Sequence, residues 1–293
     1  MDSINQKPAT SENAPKKGNI VRRWIISIVQ GAIIGTGAII PGVSGGVLAV
    51  IFGIYEPLMK FLANIRVDFK KNALRFMPIF IGIGAGFVVL SKAVNWLLGQ
   101  GEAQVIWLFI GAIVGTLPAL FKHAGREGRK TNHFIILGVA TVITYLFLWW
   151  VSTISAAVTP NFFLWIVAGI LVVSGAIVPG LSPSNFLMTM NMYKPMTAGI
   201  SSLDFSILIP LAIGGIFCLF AFSKIVNYLI ERFHTTMFHI IFGVVIASTL
   251  KIIPMEWASY GSALGAGICV LTFAAGAALG FWMSILEKKY KDN

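Results

Sequence analysis

Two short stretches place anion-binding chemistry in surroundings that are otherwise almost wholly apolar: PGVSGG at 41–46 and PGLSPS at 179–184. Proline ends one helix and the next begins at membrane depth, so its first N–H groups point unpaired into the bundle. An anion is favoured there. Ser44, Gly45 and Gly46 in the first stretch, and Ser182, Ser184 and Asn185 at the second, are small or hydrogen-bonding and let a phosphate approach the backbone. The plainer alternative is a kinked helix with serine as its N-cap; two related copies favour a site.

Charged residues inside apolar segments form a second group. Lys92 and Lys224 recur in the same motif, Ser-Lys-x-x-Asn, with Asn95 and Asn227 completing it. A charge in a span is costly unless it pairs or snorkels, so the two lysines either neutralise and gate a bound phosphate or extend to the interface. Glu56 is the acid that lies in no evident loop or tail, beside Tyr55, and its counterpart in the second half is Lys194, beside Tyr193. Coupling or gating is expected of Glu56, Tyr55, Tyr193, Asn95 and Asn227. For Glu56 the roles are proton carrier, partner of a basic residue, or interfacial group.

Other chemistries are missing their residues. His123, His133, His234 and His239 lie at loops or their edges without metal-ligand spacing. Neither a nucleotide-binding glycine loop nor paired intramembrane carboxylates are evident. The expectation is therefore no catalytic residue, no metal and no cofactor. A ring of charges or repeated filter suited to an ion channel is also lacking.

The elements that position these residues must sit in lipid. Hydrophobic residues make up 57% of the 293, charged ones 11%, and mean hydropathy is +0.84, which a water-exposed surface of ordinary polarity excludes. The net charge of +11 is thus a sign of orientation and not of nucleic-acid binding. Cys218 and Cys269 each lie in an apolar run and read as packing residues.

Apolar segments run over 24–40, 47–63, 76–98, 104–121, 133–151, 161–178, 185–200, 205–230, 236–250 and 262–286. A hydrocarbon core of about 30 Å takes about 20 helical residues, and the segments flanking the two breaks are short for it. Each flanking pair is a re-entrant hairpin or two short crossings; the backbone groups freed by Pro, Gly and Ser favour hairpins shielded by protein. The linkers 66–75 and 122–130, the turn at 231–232 and the tail at 288–289 are basic, whereas 99–102, 152–160, 201–204 and 255–261 contain no Lys or Arg. Both termini are accordingly expected in the cytoplasm.

The second half echoes the first. At one constant offset Gly37, Pro41, Gly42, Ser44, Tyr55 and Pro57 match Gly175, Pro179, Gly180, Ser182, Tyr193 and Pro195. After a small deletion Pro78, Gly82, Ser91, Lys92, Asn95 and Gly111 match Pro210, Gly214, Ser223, Lys224, Asn227 and Gly243. One hairpin and three crossings per half turn the second copy upside down, an inverted-repeat transporter architecture. The chain is expected to be an all-α polytopic membrane protein: residues 1–21 a disordered cytoplasmic tail, 22–153 the first repeat, 154–287 the inverted second repeat, 288–293 a cytoplasmic tail.

GTGAIIPGVSGGVLAVIFGIYEPLM and SGAIVPGLSPSNFLMTMNMYKPM resemble the membrane family long designated domain of unknown function 368, associated with PopT-type undecaprenyl phosphate translocases. The similarity runs over nearly the whole chain after the tail. It implies return of undecaprenyl phosphate from the outer to the cytoplasmic leaflet of a bacterial cytoplasmic membrane, recycling the carrier for cell-wall polymer synthesis. The residue reading is compatible: opposed hairpins hold the phosphate near the midplane while the halves alternate access, with proton coupling through Glu56. The rival from another class is a polyprenyl diphosphate phosphatase. Such enzymes use PG-x-S-R-S and paired glutamates, which are lacking near PGVSGG. A transporter of another small anion is the third reading.

Overall fold

The computed structural model describes residues 17–37, 39, 45, 48–49, 52–54, 57–58, 61, 68–155, 159–177 and 183–291. Among them the structure is helical throughout, without strands. The helices are α1 (Lys17–Thr36), α2 (Phe69–Gln100), α3 (Glu102–Ala124), α4 (Thr131–Ser155) and α5 (Phe162–Ile177). They continue with α6 (Pro183–Thr189), α7 (Tyr193–Ser201), α8 (Phe205–Arg232), α9 (His234–Lys251) and α10 (Ala263–Lys291), with a 3-10 turn at Trp257–Tyr260.

Four of these, α2, α3, α4 and α10, are long and apolar enough to cross a membrane; α7 and α8 make a fifth span if they are taken as one helix bent by 112°. The chain is a membrane protein, and its side-chain distribution shows why. Among the described side chains of α4 only Leu148 is buried, while Phe134, Ile135, Val139, Val142, Ile143, Leu146 and Phe147 are exposed. An apolar helix surface of that extent is stable only in contact with lipid.

Helix bounds depart from the apolar runs in instructive places. The run at 76–98 is embedded in α2, whose 32 residues span about 48 Å, well beyond the hydrocarbon thickness. Its first two turns carry Lys70, Lys71 and Arg75, so the helix continues into the basic linker instead of stopping at the apolar boundary. The run expected over 185–200 is divided. Asn191 takes a left-handed conformation, φ 55°, and separates α6 from α7. Asparagine tolerates that region. The matching position in the first half is Gly53, φ 65°. Leu203, φ 57°, then turns the chain into α8, where Asp204 caps the helix by accepting from the Ser206 N–H at 2.9 Å.

Helices approach each other over glycines. A Cβ added at Gly82 would lie 2.1 Å from the Ile28 carbonyl oxygen of α1, and one at Gly31 the same distance from that of Ile79. Gly214 and Gly169, at the corresponding positions of the second half, meet Ile166 and Leu211, so α5 lies on α8 as α1 lies on α2. The partners correspond as well as the glycines: Ile28 matches Ile166, and Ile79 matches Leu211. Gly111 of α3 abuts Phe273 of α10, whereas its match, Gly243 of α9, abuts Leu137 of α4. The third helix of the first half, α3, thus packs on the last helix of the second, α10, and the matching α9 packs on α4, the last helix of the first. Small residues are what bring helix backbones this close in lipid.

The largest core cluster joins α2, α3, α5, α6, α7 and α8 around Val94, Phe109, Trp165, Leu187, Met196 and Leu211. The Tyr193 ring lies within it, edge-on to Phe109 at 6.0 Å.

Candidate functional site

Polar groups converge where the second break meets the end of α1. Residues past a helix C-terminus leave carbonyls without intrahelical partners, and Pro41 supplies no N–H nearby. The Ile39 carbonyl has two outside donors instead: the Ser184 hydroxyl at 3.2 Å and the Tyr193 hydroxyl at 2.9 Å. Both donors belong to the second half, so this oxygen is one point at which the two halves are joined. Ser184 is 2% exposed and Tyr193 likewise buried.

Asn185, fully buried, stands next to them. Its amide donates to the Ser248 hydroxyl at 3.2 Å and the Thr249 hydroxyl at 3.4 Å. Those two hydroxyls in turn donate to the Val245 carbonyl of their own helix, so they are available to Asn185 only as acceptors. Among the described residues the Asn185 side-chain oxygen, Oδ1, has no partner. A buried acceptor left open in this way costs free energy on the order of 1–3 kcal/mol, and a ligand donor placed there recovers it. Thr189, on α6, spends its hydroxyl on the Asn185 backbone carbonyl at 2.9 Å.

The Ser-Lys-x-x-Asn motif is split by helix rotation. Ser91 faces inward, with 0% exposure and its hydroxyl unpartnered among the described residues, while Lys92 is exposed and Asn95 half-buried. Lys92 is thus on the outer surface of α2, away from the buried group around Asn185. Lys224 and Asn227 fall on α8, and only their backbone is described. Gly45 is seated against α1: a Cβ there would stand 2.8 Å from the Ile34 carbonyl. Ser44, Gly46, Tyr55, Glu56 and Ser182 lie outside the described residues. Lys194, the match of Glu56, is exposed and pairs with Glu102 at the start of α3.

Sequence reading did not single out Ser248 and Thr249. Their signal is a pair of hydroxyls one turn before the end of an apolar helix, which alone says nothing about what they face. The histidines it set aside are brought together: His123 stacks on His234, and His133 on His239, each pair 5.2 Å between centroids. Among the described residues no group of three or more His, Cys, Asp or Glu is arranged to hold a metal.

Chemically, the buried group offers one open acceptor, the Asn185 side-chain oxygen. Residues 34–265 match the model of a family described as VCA0040-like, undecaprenyl phosphate translocase-like. Over 248 residues the chain is 23% identical to a polyprenyl-phosphate transporter of Vibrio cholerae, covering 80% of this chain and 79% of that one. Over 249 residues it is 29% identical to a polyprenyl-phosphate transporter of Staphylococcus aureus, covering 79% and 87%. No solved structure matches.

Proposed function

Because the chain belongs to the undecaprenyl phosphate translocase-like family, we propose that it moves a polyprenyl phosphate from the outer to the cytoplasmic leaflet of the bacterial cytoplasmic membrane. The lipid's phosphate is held near the midplane and its tail stays in the bilayer. The observation that carries this reading is the Asn185 amide, buried at the junction of the halves with its carbonyl oxygen open. A phosphate monoester has its second pKa at about 6 and, when singly ionised, carries one P–OH donor beside its acceptor oxygens. The P–OH matches the Asn185 oxygen. Ser91, with its unpartnered hydroxyl, is a further donor within the bundle.

Alternation of access follows from an inverted pair of halves with both termini cytoplasmic. Support comes from the matching glycine contacts of α1 with α2 and α5 with α8, and from the exchange that sets α3 on α10 and α9 on α4. The Ile39 carbonyl, bonded to Ser184 and Tyr193, is the contact between halves that would have to break and reform as the site changes side. Transport without chemistry is proposed, so the phosphate monoester leaves as it entered. In this scheme the basic ends face the cytoplasm, and Glu56 carries the coupling proton.

The test places purified protein in liposomes containing undecaprenyl phosphate and follows headgroup exposure in each leaflet together with release of inorganic phosphate. Leaflet exchange without phosphate release, reduced at least tenfold by Asn185→Leu, is the expected result. Phosphate release from the diphosphate form makes the chain an enzyme, and exchange unaltered by Asn185→Leu moves the site elsewhere.

A further inference from the structure

A cleft of ≈ 200 Å³ opens between α1, α2 and residues 52–54, lined by Ser27, Gln30, Gly53, Arg75, Phe76 and Ile79 among others. Its described lining shares no residue with the group around Asn185 and, among the described residues, includes none that sequence reading assigned. A water molecule's share of liquid volume is about 30 Å³, so the space accommodates a phosphate with several waters.

The second half is an internal control for what this place is without a ligand. By the offsets of the sequence repeat, Ser27 matches Trp165, Gln30 matches Ala168, Gly53 matches Asn191 and Arg75 matches Ile207. Trp165 and Ala168 are buried there, and Ile207 packs against the same apolar cluster. There the matches of Ser27, Gln30 and Arg75 are apolar side chains packed together. In the first half a serine in place of the indole leaves the cleft open, and a guanidinium, a carboxamide and a hydroxyl line it. The framework is retained, since Phe76 and Ile79 match Leu208 and Leu211, and the left-handed turn at Gly53 matches that at Asn191. Packing alone would have kept the indole, because an unfilled polar cleft gains nothing for stability.

The chemistry of the lining selects an anion with several acceptor oxygens. Arg75 supplies planar N–H donors suited to two phosphate oxygens at once. The Gln30 amide and the Ser27 hydroxyl add neutral donors, and Gly53 has open space where a side chain would stand. Among the described residues no carboxylate is paired with Arg75. Arg75 belongs to the basic linker that charge asymmetry assigns to the cytoplasm.

We infer that this cleft binds the phosphate monoester headgroup of a lipid at the cytoplasmic end of its path, with Arg75 as the cation and Gln30 and Ser27 as neutral donors. The inference rests on the proposed transport of a polyprenyl phosphate and adds an exit station to it. Loss of one charge-assisted contact to phosphate is expected to weaken binding by about tenfold or more. Ser27→Trp restores the filling seen in the second half and closes the cleft without touching any charge.

The experiment measures binding of undecaprenyl phosphate, undecaprenol, phosphatidylglycerol and inorganic phosphate to the full chain in nanodiscs, for wild type, Arg75→Gln, Arg75→Lys and Ser27→Trp. Thermal unfolding of each variant reports whether it is folded. Weakening of undecaprenyl phosphate at least tenfold by both Arg75→Gln and Ser27→Trp, partial recovery in Arg75→Lys, and undecaprenol binding unchanged are expected. Arg75-dependent binding of phosphatidylglycerol or inorganic phosphate, with none of undecaprenyl phosphate, retains the cleft as a phosphate site and removes the transport reading. Undecaprenyl phosphate bound equally by wild type and folded Arg75→Gln overturns the cleft and leaves the transport reading intact. Wild type that binds none of the four overturns the inference.

Discussion

Replacing Gly82 by alanine tests how the helices are held together. The new Cβ would stand 2.1 Å from the Ile28 carbonyl oxygen, at least about 0.9 Å closer than real Cβ atoms come to any neighbour, and the obstacle is backbone, not a flexible side chain. Helices α1 and α2 must separate along their shared face. Overpacking of this kind costs about 1–3 kcal/mol, and each weak Cα–H···O hydrogen bond broken by the separation adds about 0.5–1 kcal/mol. For a chain of this size the unfolding midpoint falls by roughly 2–4 °C per kcal/mol, so the overpacking alone should lower the Gly82→Ala midpoint by about 2–12 °C. Gly214→Ala, with its Cβ 1.9 Å from the Ile166 carbonyl, should fall by a similar amount. Gly84 is the control on the same helix: nothing lies within 4 Å of a Cβ there, so alanine is neutral or stabilising through helix propensity. Circular dichroism of protein in nanodiscs reads the midpoints, and leaflet exchange measured on the same samples reads the coupling of the halves. A Gly82→Ala midpoint equal to that of Gly84→Ala refutes the close packing. A loss at Gly82 with none at Gly214 refutes the equivalence of the two helix pairs.

Three further outcomes follow from the geometry. Tyr193→Phe leaves Ser184 on the Ile39 carbonyl and should cost about 0.5–1.5 kcal/mol in unfolding, whereas adding Ser184→Ala orphans that oxygen and should bring the total to about 1–3 kcal/mol above the single change. The Lys194–Glu102 pair is half exposed on both sides, so a double-mutant cycle on stability should return less than about 1 kcal/mol of coupling; a larger value would mean the pair is shielded in the folded membrane protein. The Asp204 carboxylate is held below the usual range by the Ser206 hydroxyl and then by the Ser206 N–H. A depressed folded-state pKa stabilises above the unfolded value and is lost as pH falls through the folded value. The midpoint difference between wild type and Asp204→Ala should therefore be full at neutral pH and shrink below about pH 4, the ordinary aspartate range; Asp204→Asn should keep the cap without that pH dependence.

The sequence by itself determined the solvent, the class and the punctuation. Long apolar runs with scarce charge gathered between them call for a helical membrane protein, because unpaired backbone and charge are both costly in hydrocarbon. The internal repeat is legible as a sequence pattern because Pro and Gly recur at fixed offsets, whereas the breaks expected at Pro41 and Pro179 lie outside the described residues. Which polar groups work together was decided by tertiary structure alone. Ser91 and Lys92 are neighbours in one motif, yet one is buried and the other exposed; Ser184 and Tyr193 meet the carbonyl of Ile39, which no motif marks. In water, apolar periodicity identifies the buried face of a helix, but in lipid both faces are apolar and the period is nearly silent about rotation. The Arg75 cleft was illegible for the same reason. It exists because Ser27 stands where its match is Trp165, and only the packing of α1 on α2 turns that substitution into space.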